Sequence, residues 1–144
     1  MKKINILFVS ALTLGLSFAS CNNDDNGGSS SSTPSLEGKW IIAKQGMVMD
    51  GQESLTNHQN ECSTKKDFME LKSGGIIKDV YYPEDCTADI TNGSWSKNGN
   101  NVTISFEGED PFTAQIVTLN ETNLKVKFID AETQMTLVAV FNRG

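Results

Sequence analysis

From Leu36 to the C-terminus the chain alternates short runs of β-branched and aromatic residues with clusters of Gly, Asn and Asp, a pattern that predicts strands joined by turns. The runs cover residues 39–48, 66–71, 76–82, 91–97, 101–106, 112–119, 123–129 and 134–142. Period-two alternation is clearest at Val102/Ile104/Phe106 and Leu124/Val126/Phe128, with Thr103, Ser105, Lys125 and Lys127 between them. Those are strands with one buried and one wet face. In the last run Met135/Leu137/Ala139/Phe141 and Val138/Val140 are both apolar sets, so the pattern does not choose a face. Residues 50–63 are polar without strand alternation and read as a long loop with room for one helical turn. No stretch of three helical turns carries an apolar stripe.

The connections are tight. Asn98-Gly99-Asn100 is a strong hairpin signal because both residue types tolerate positive φ, and Ser73-Gly74-Gly75, Gly108-Glu109-Asp110-Pro111, Asn120-Glu121-Thr122 and Asp130-Ala131-Glu132 serve as further turns. Eight strands joined this way form an all-β, up-and-down antiparallel meander. Closing it into an eight-stranded barrel, first strand against last, removes the exposed edges. An open two-sheet sandwich is the alternative, and it fits short local connections less well.

The N-terminal region has a different character. Lys2 and Lys3 precede an apolar run over residues 6–16, too short to span a bilayer, and Phe18-Ala19-Ser20-Cys21 resembles a lipobox. The implied organisation is a lipoprotein signal peptide over 1–20, a lipidated tether over 21–35 and a folded domain over 36–144. Each buried methylene of an acyl chain adds about 0.8 kcal/mol, so two or three chains on Cys21 would anchor the protein firmly to a membrane. The polar tract after Cys21 is rich in Asn, Asp, Gly and Ser and buries no apolar surface, as suits a tether. Asp24-Asp25 resembles the surface-export signal of Bacteroidota lipoproteins; the other reading is a solvated linker. The expected location is the bacterial outer membrane, lipid-anchored, facing the periplasm or the cell surface. Without Lys2 and Lys3, ten basic residues face eighteen acidic ones, a net charge near −8 that argues against nucleic acid as a partner.

Three cysteines is an odd number for an exported chain. With Cys21 taken by lipid, Cys62 and Cys86 remain as a pair in an oxidising compartment. Their disulfide would close a loop of about 25 residues and contribute roughly 3.5 kcal/mol on the chain-entropy model. The competing reading is a catalytic Cys62 assisted by His58, the chain's single histidine.

Leu36-Glu37-Gly38-Lys39-Trp40 resembles the Gly-x-Trp opening of lipocalins, and Phe141-Asn142-Arg143 resembles their closing strand. Cys62 with the run Lys66 to Leu71, and Cys86 with Gly93-Ser94-Trp95-Ser96, is similar to the lipocalin-like domains of Bacteroidota lipoproteins. The resemblance implies a structural pair in which Arg143 lies over the Trp40 ring and closes the barrel floor. A planar, weakly hydrated guanidinium suits that stack better than an ammonium. The chain is shorter than lipocalins, without their C-terminal helix or middle-loop motifs.

An eight-stranded barrel is just wide enough to be filled by its own side chains or to hold one small ligand. Met69, Leu71, Trp95, Val102, Ile104, Leu124 and Val126 are the candidate inward positions. Met47-Val48-Met49 and Tyr81-Tyr82 are candidates for a rim, or else core. Two functions follow. The first is a binding module holding a small apolar ligand. The second is an inhibitor or accessory subunit that presents loops to a protein partner, with residues 50–63 stapled by the disulfide. No nucleophile elbow, metal-ligand set or cofactor motif is visible, so the chain reads as a non-enzyme. Glu107/Glu109/Asp110 and Glu84/Asp85 have oxygens that suit calcium, but without a ligand ladder of loop spacing they read as solvated turns.

Overall fold

The computed structural model describes residues 34–144; the signal, Cys21 and nearly all of the tether lie outside them. Nine strands follow in chain order: β1 (Gly38–Met49), β2 (Gln52–Asn57), β3 (Phe68–Lys72), β4 (Ile76–Tyr81), β5 (Asp89–Asn98), β6 (Asn101–Phe106), β7 (Phe112–Leu119), β8 (Asn123–Ile129) and β9 (Thr136–Arg143). All neighbours are antiparallel, and the described residues contain no helix. β3 to β9 form a meander that β1 closes, pairing with β3 through Gly38–Ile41 and with β9 from Trp40↔Arg143 to Met47↔Leu137. The eight-stranded barrel expected from the alternation is therefore present.

The ninth strand is a correction. Residues 50–63 are not all loop: Gln52–Asn57 form β2, paired with the second half of β1 from Met49↔Gln52 to Lys44↔Asn57. β2 and β3 share one edge of β1, and residues 58–67 are an excursion between them. The backbone of β1 carries the excursion at both ends, the His58 N–H donating to the Ala43 carbonyl and the Ile42 N–H to that of Asp67. Ala43 is also the bulge in the β1–β9 register, where the strand bends.

Beyond that bend β2 curls over the outside of the barrel. On β9 Ala139 and Phe141 belong to the core inside the barrel, so Val138, which alternates with them and pairs with Lys127 of β8, projects outward together with its β1 partner Gly46. A Cβ at Gly46 would collide with the Ser54 carbonyl oxygen, so β2 backbone occupies the space that a side chain would need. Farther along the same face Glu53 accepts hydrogen bonds from Lys125 (2.5 Å) and Lys127 (2.9 Å) on β8, two strands beyond β1. These lysines hold the Glu53 carboxyl below its ordinary pKa. Val138 is 1% exposed although it faces outward. This explains the two apolar sets of the last strand: Leu137, Ala139 and Phe141 serve the interior, while Val138 is covered on the outside.

Candidate functional site

The first and last strands of the barrel close its floor. Trp40 is fully buried, and its indole Nε1 donates to the Leu36 carbonyl (2.8 Å). The Arg143 guanidinium stacks on that indole, 4.0 Å from the ring centroid. Its nitrogens donate to the carbonyls of Glu37 (2.7 Å), Ser35 (2.8 Å) and Glu121 (3.3 Å). Gly38 lies beneath with φ near +132°, and a Cβ there would meet the guanidinium. That contact is the physical reason for glycine in the opening motif.

Above the floor lies a cavity of about 530 Å³. Six of the seven inward candidates are on its wall: Met69, Leu71, Val102, Ile104, Leu124 and Val126. Trp95 is not. Its indole Nε1 donates to the Lys72 carbonyl (3.0 Å) and its amide to the Gly75 carbonyl (2.8 Å), so it packs against the core beside the β3–β4 turn. Phe106, Phe112, Phe128 and Phe141 contribute the aromatic side chains of the wall. Met47 joins the wall as well, while Met49 at the end of β1 is exposed.

Two polar side chains reach this otherwise apolar lining, Gln45 from β1 and Asp79 from β4. β4 runs from floor to mouth on its inner face through Ile77, Asp79 and Tyr81. Asp79 is set between Met69 on β3 and Thr91 on β5. Burial raises its carboxyl pKa above the ordinary value, and the charges of Asp67 and Glu109 push it the same way. At the mouth the Tyr81 phenol is pushed up to about 12, chiefly because its hydrogen-bond partner Glu61 favours the protonated form. Sequence reasoning missed Asp79, although its place two residues after Ile77 in an alternating strand was a usable signal.

The excursion over residues 58–67 is fastened where β4 ends. Asp67 is buried; its carboxylate accepts from His58 Nε2 (2.8 Å) and from the Tyr82 amide (2.8 Å), and its own amide donates to Asn60 Oδ1 (2.9 Å). Cys62 and Cys86 form a disulfide with Cα atoms 5.1 Å apart. The Cys62 amide donates to the Tyr82 carbonyl (3.2 Å), and Lys65 Nζ to the Cys86 carbonyl (2.9 Å). The bond leaves Cys62 no thiolate for the nucleophilic reading, and His58 is engaged by Asp67 instead. That partner nine residues away carries no local sequence signature.

Residues 36–126 match a family profile described as a lipocalin-like domain. The fold is similar to a lipocalin-like protein from Bacteroides uniformis ATCC 8492, with a TM-score of 0.57 and 14% identity over 76% of this chain and 98% of that one. An uncharacterized protein from Bacteroides eggerthii DSM 20697 gives 0.54 and 10% over 76% and 100%. Lobster apocrustacyanin A1 gives 0.50 and 16% over 75% and 60%. At these identities the likeness concerns the fold alone. No curated protein matches the chain.

Proposed function

The chain belongs to the lipocalin-like domain family, and we propose that it is a lipid-anchored binding protein whose barrel holds a small apolar molecule. The observation that carries this reading is the cavity itself. About 530 Å³ of largely apolar space lies over a floor sealed by Trp40 and Arg143. That volume falls in the range of pockets that enclose small ligands. A filled barrel would have moved function to the loops, and this interior is not filled. The anchor is lipid on Cys21, with the domain tethered at the bacterial outer membrane and facing the periplasm or the surface. Catalysis has no part in the reading, since among the described residues no paired acid and base or activated nucleophile lines the cavity.

The test is titration with N-phenyl-1-naphthylamine, whose emission rises in an apolar site. Saturable binding is expected, and Ala139→Phe, which places a ring inside the cavity wall, should reduce it at least tenfold while the fold persists. Absence of binding, or equal binding by the variant, would reject the cavity as the site.

The accessory-subunit reading retains one specific support. Met49, Ile129 and Met135 are large, exposed and apolar, and all three lie on the hairpins at the open end. Crosslinking from Met135 in intact cells tests it; no recurrent protein partner would count against it.

A further inference from the structure

Among the described residues Asp79 is the one acidic or basic residue on the cavity wall, and no cationic side chain among them acts on it. Its cross-strand neighbours, Met69 and Thr91, carry no charge. The charged groups that act on it are Asp67 and Glu109, both acidic, and the backbone N–H of Val80 is the donor that favours its ionised form. A carboxylate moved out of water keeps its charge cheaply only when a cation or several donors meet it. Elsewhere the chain supplies such partners: Glu53 has Lys125 and Lys127, and Asp67 has His58 and the Tyr82 amide. Asp79 stands out because no described side chain supplies its counter-charge, while its position gives a bound molecule access to it.

We propose that the cavity is built for a lipophilic amine, an apolar body whose protonated amino group meets the Asp79 carboxylate. This deepens the binding reading above and rests on it. A fatty acid fits the apolar wall equally well but would bring a second carboxylate beside Asp79, with Asp67 and Glu109 adding to the repulsion. An alcohol would gain one neutral hydrogen bond. An ammonium gains a charge-assisted bond, about twice as strong, and relieves the half-buried acid at the same time. The approach favours the same sign: Glu61 lies at the mouth beside Tyr81. With a net charge near −8 for the chain from Cys21 onward, the protein's field attracts cations and repels fatty-acid anions.

The experiment is displacement of N-phenyl-1-naphthylamine at pH 7 by decylamine, decanoate and decanol, three ligands of one chain length that differ only in the head group. Decylamine should displace the probe at a concentration about tenfold lower than decanoate, the ratio expected of one charge-assisted contact, with decanol between them. In Asp79→Asn the amine and the acid should fall within about threefold of each other. The wild-type preference should also shrink as pH falls and the Asp79 carboxyl takes up a proton. A probe that binds but is displaced as well by decanoate as by decylamine overturns the amine proposal and leaves the cavity reading standing. So does a preference that survives Asp79→Asn. A probe that never binds removes the cavity reading and the amine proposal with it.

Discussion

Arg143 and Trp40 are paired twice. They are partners in the β1–β9 register, and the Arg143 guanidinium stacks 4.0 Å from the centroid of the Trp40 ring. The same guanidinium gathers the carbonyls of Ser35, Glu37 and Glu121, so one side chain ties the entry to β1, the end of β9 and the β7–β8 turn. A lysine could keep the charge but would lose the planar fork that reaches three acceptors. Arg143→Lys should therefore cost about 1–2 kcal/mol and Arg143→Ala about 2–3 kcal/mol, combining the stack with hydrogen bonds from a charged group. Thermal denaturation of the purified domain measures both. Equal stability of Arg143→Lys and the native protein would show that charge alone suffices.

Gly46 sits where β2 backbone crosses the outer face of β1. A methyl group there would meet the Ser54 carbonyl, and backbone cannot turn aside as a flexible side chain can. Gly46→Ala should release β2 and cost about 2–3 kcal/mol, in the range of overpacked positions. Hydrogen exchange should then accelerate at residues 52–57 and not at β6 or β7. Exchange unchanged in β2 would mean that the hairpin tolerates the extra atom.

What the sequence made legible was whatever an alternating pattern encodes. β6 and β8 have one buried and one wet face, and their apolar positions line the cavity as read. β2 was illegible for the converse reason. Its six residues, Gln52 to Asn57, lie on the outside of the barrel with only Leu55 partly buried, so nothing required them to alternate. Trp95 shares the inward face of its partner Ile104 and packs on the core, as read, but an inward strand position does not reveal that its N–H reaches a carbonyl at the β3–β4 turn and keeps it off the cavity wall. The His58–Asp67 pair depends on the excursion folding back on itself, a long-range contact that no local spacing announces. The disulfide was accessible because its argument needed only a count of cysteines and a compartment.

The disulfide fastens the excursion to the segment after β4. Replacing both Cys62 and Cys86 by Ala should lower stability by about 2–4 kcal/mol and leave the barrel intact, since β1 to β9 close without it. Thiol titration in denaturant without reductant should find neither cysteine reactive in the native protein. Two reactive thiols would show that the pair is reduced in solution.

Attachment to the membrane is a separate matter from folding. If lipid on Cys21 provides nearly all of the membrane affinity, Cys21→Ser should move the protein from the membrane to the soluble fraction without changing its melting temperature. Normal processing and continued sedimentation with membranes would show that the anchor lies elsewhere.

Asp79 makes the stability of the empty barrel depend on pH with a definite sign. Its folded pKa is raised above the ordinary carboxylate value, so the folded state holds the proton more tightly than the unfolded state. The stability this contributes is fully present below the unfolded pKa, near 3.8, and is lost as pH rises through the folded pKa. At neutral pH the ionised, unpaired group burdens the empty protein, and Asp79→Asn should then be the more stable by at most about 1 kcal/mol, since the half-buried carboxylate keeps part of its contact with water. For a domain of this size that corresponds to roughly 4–8 °C in melting temperature. The advantage should fade as pH falls toward 3.5, where both side chains are neutral. Parallel melts of the two proteins from pH 3.5 to 7.5 without ligand give the comparison, and an advantage independent of pH would mean that ionisation of Asp79 is not the cause. Added decylamine should reverse the order at neutral pH, because only the carboxylate has a charge to share with it.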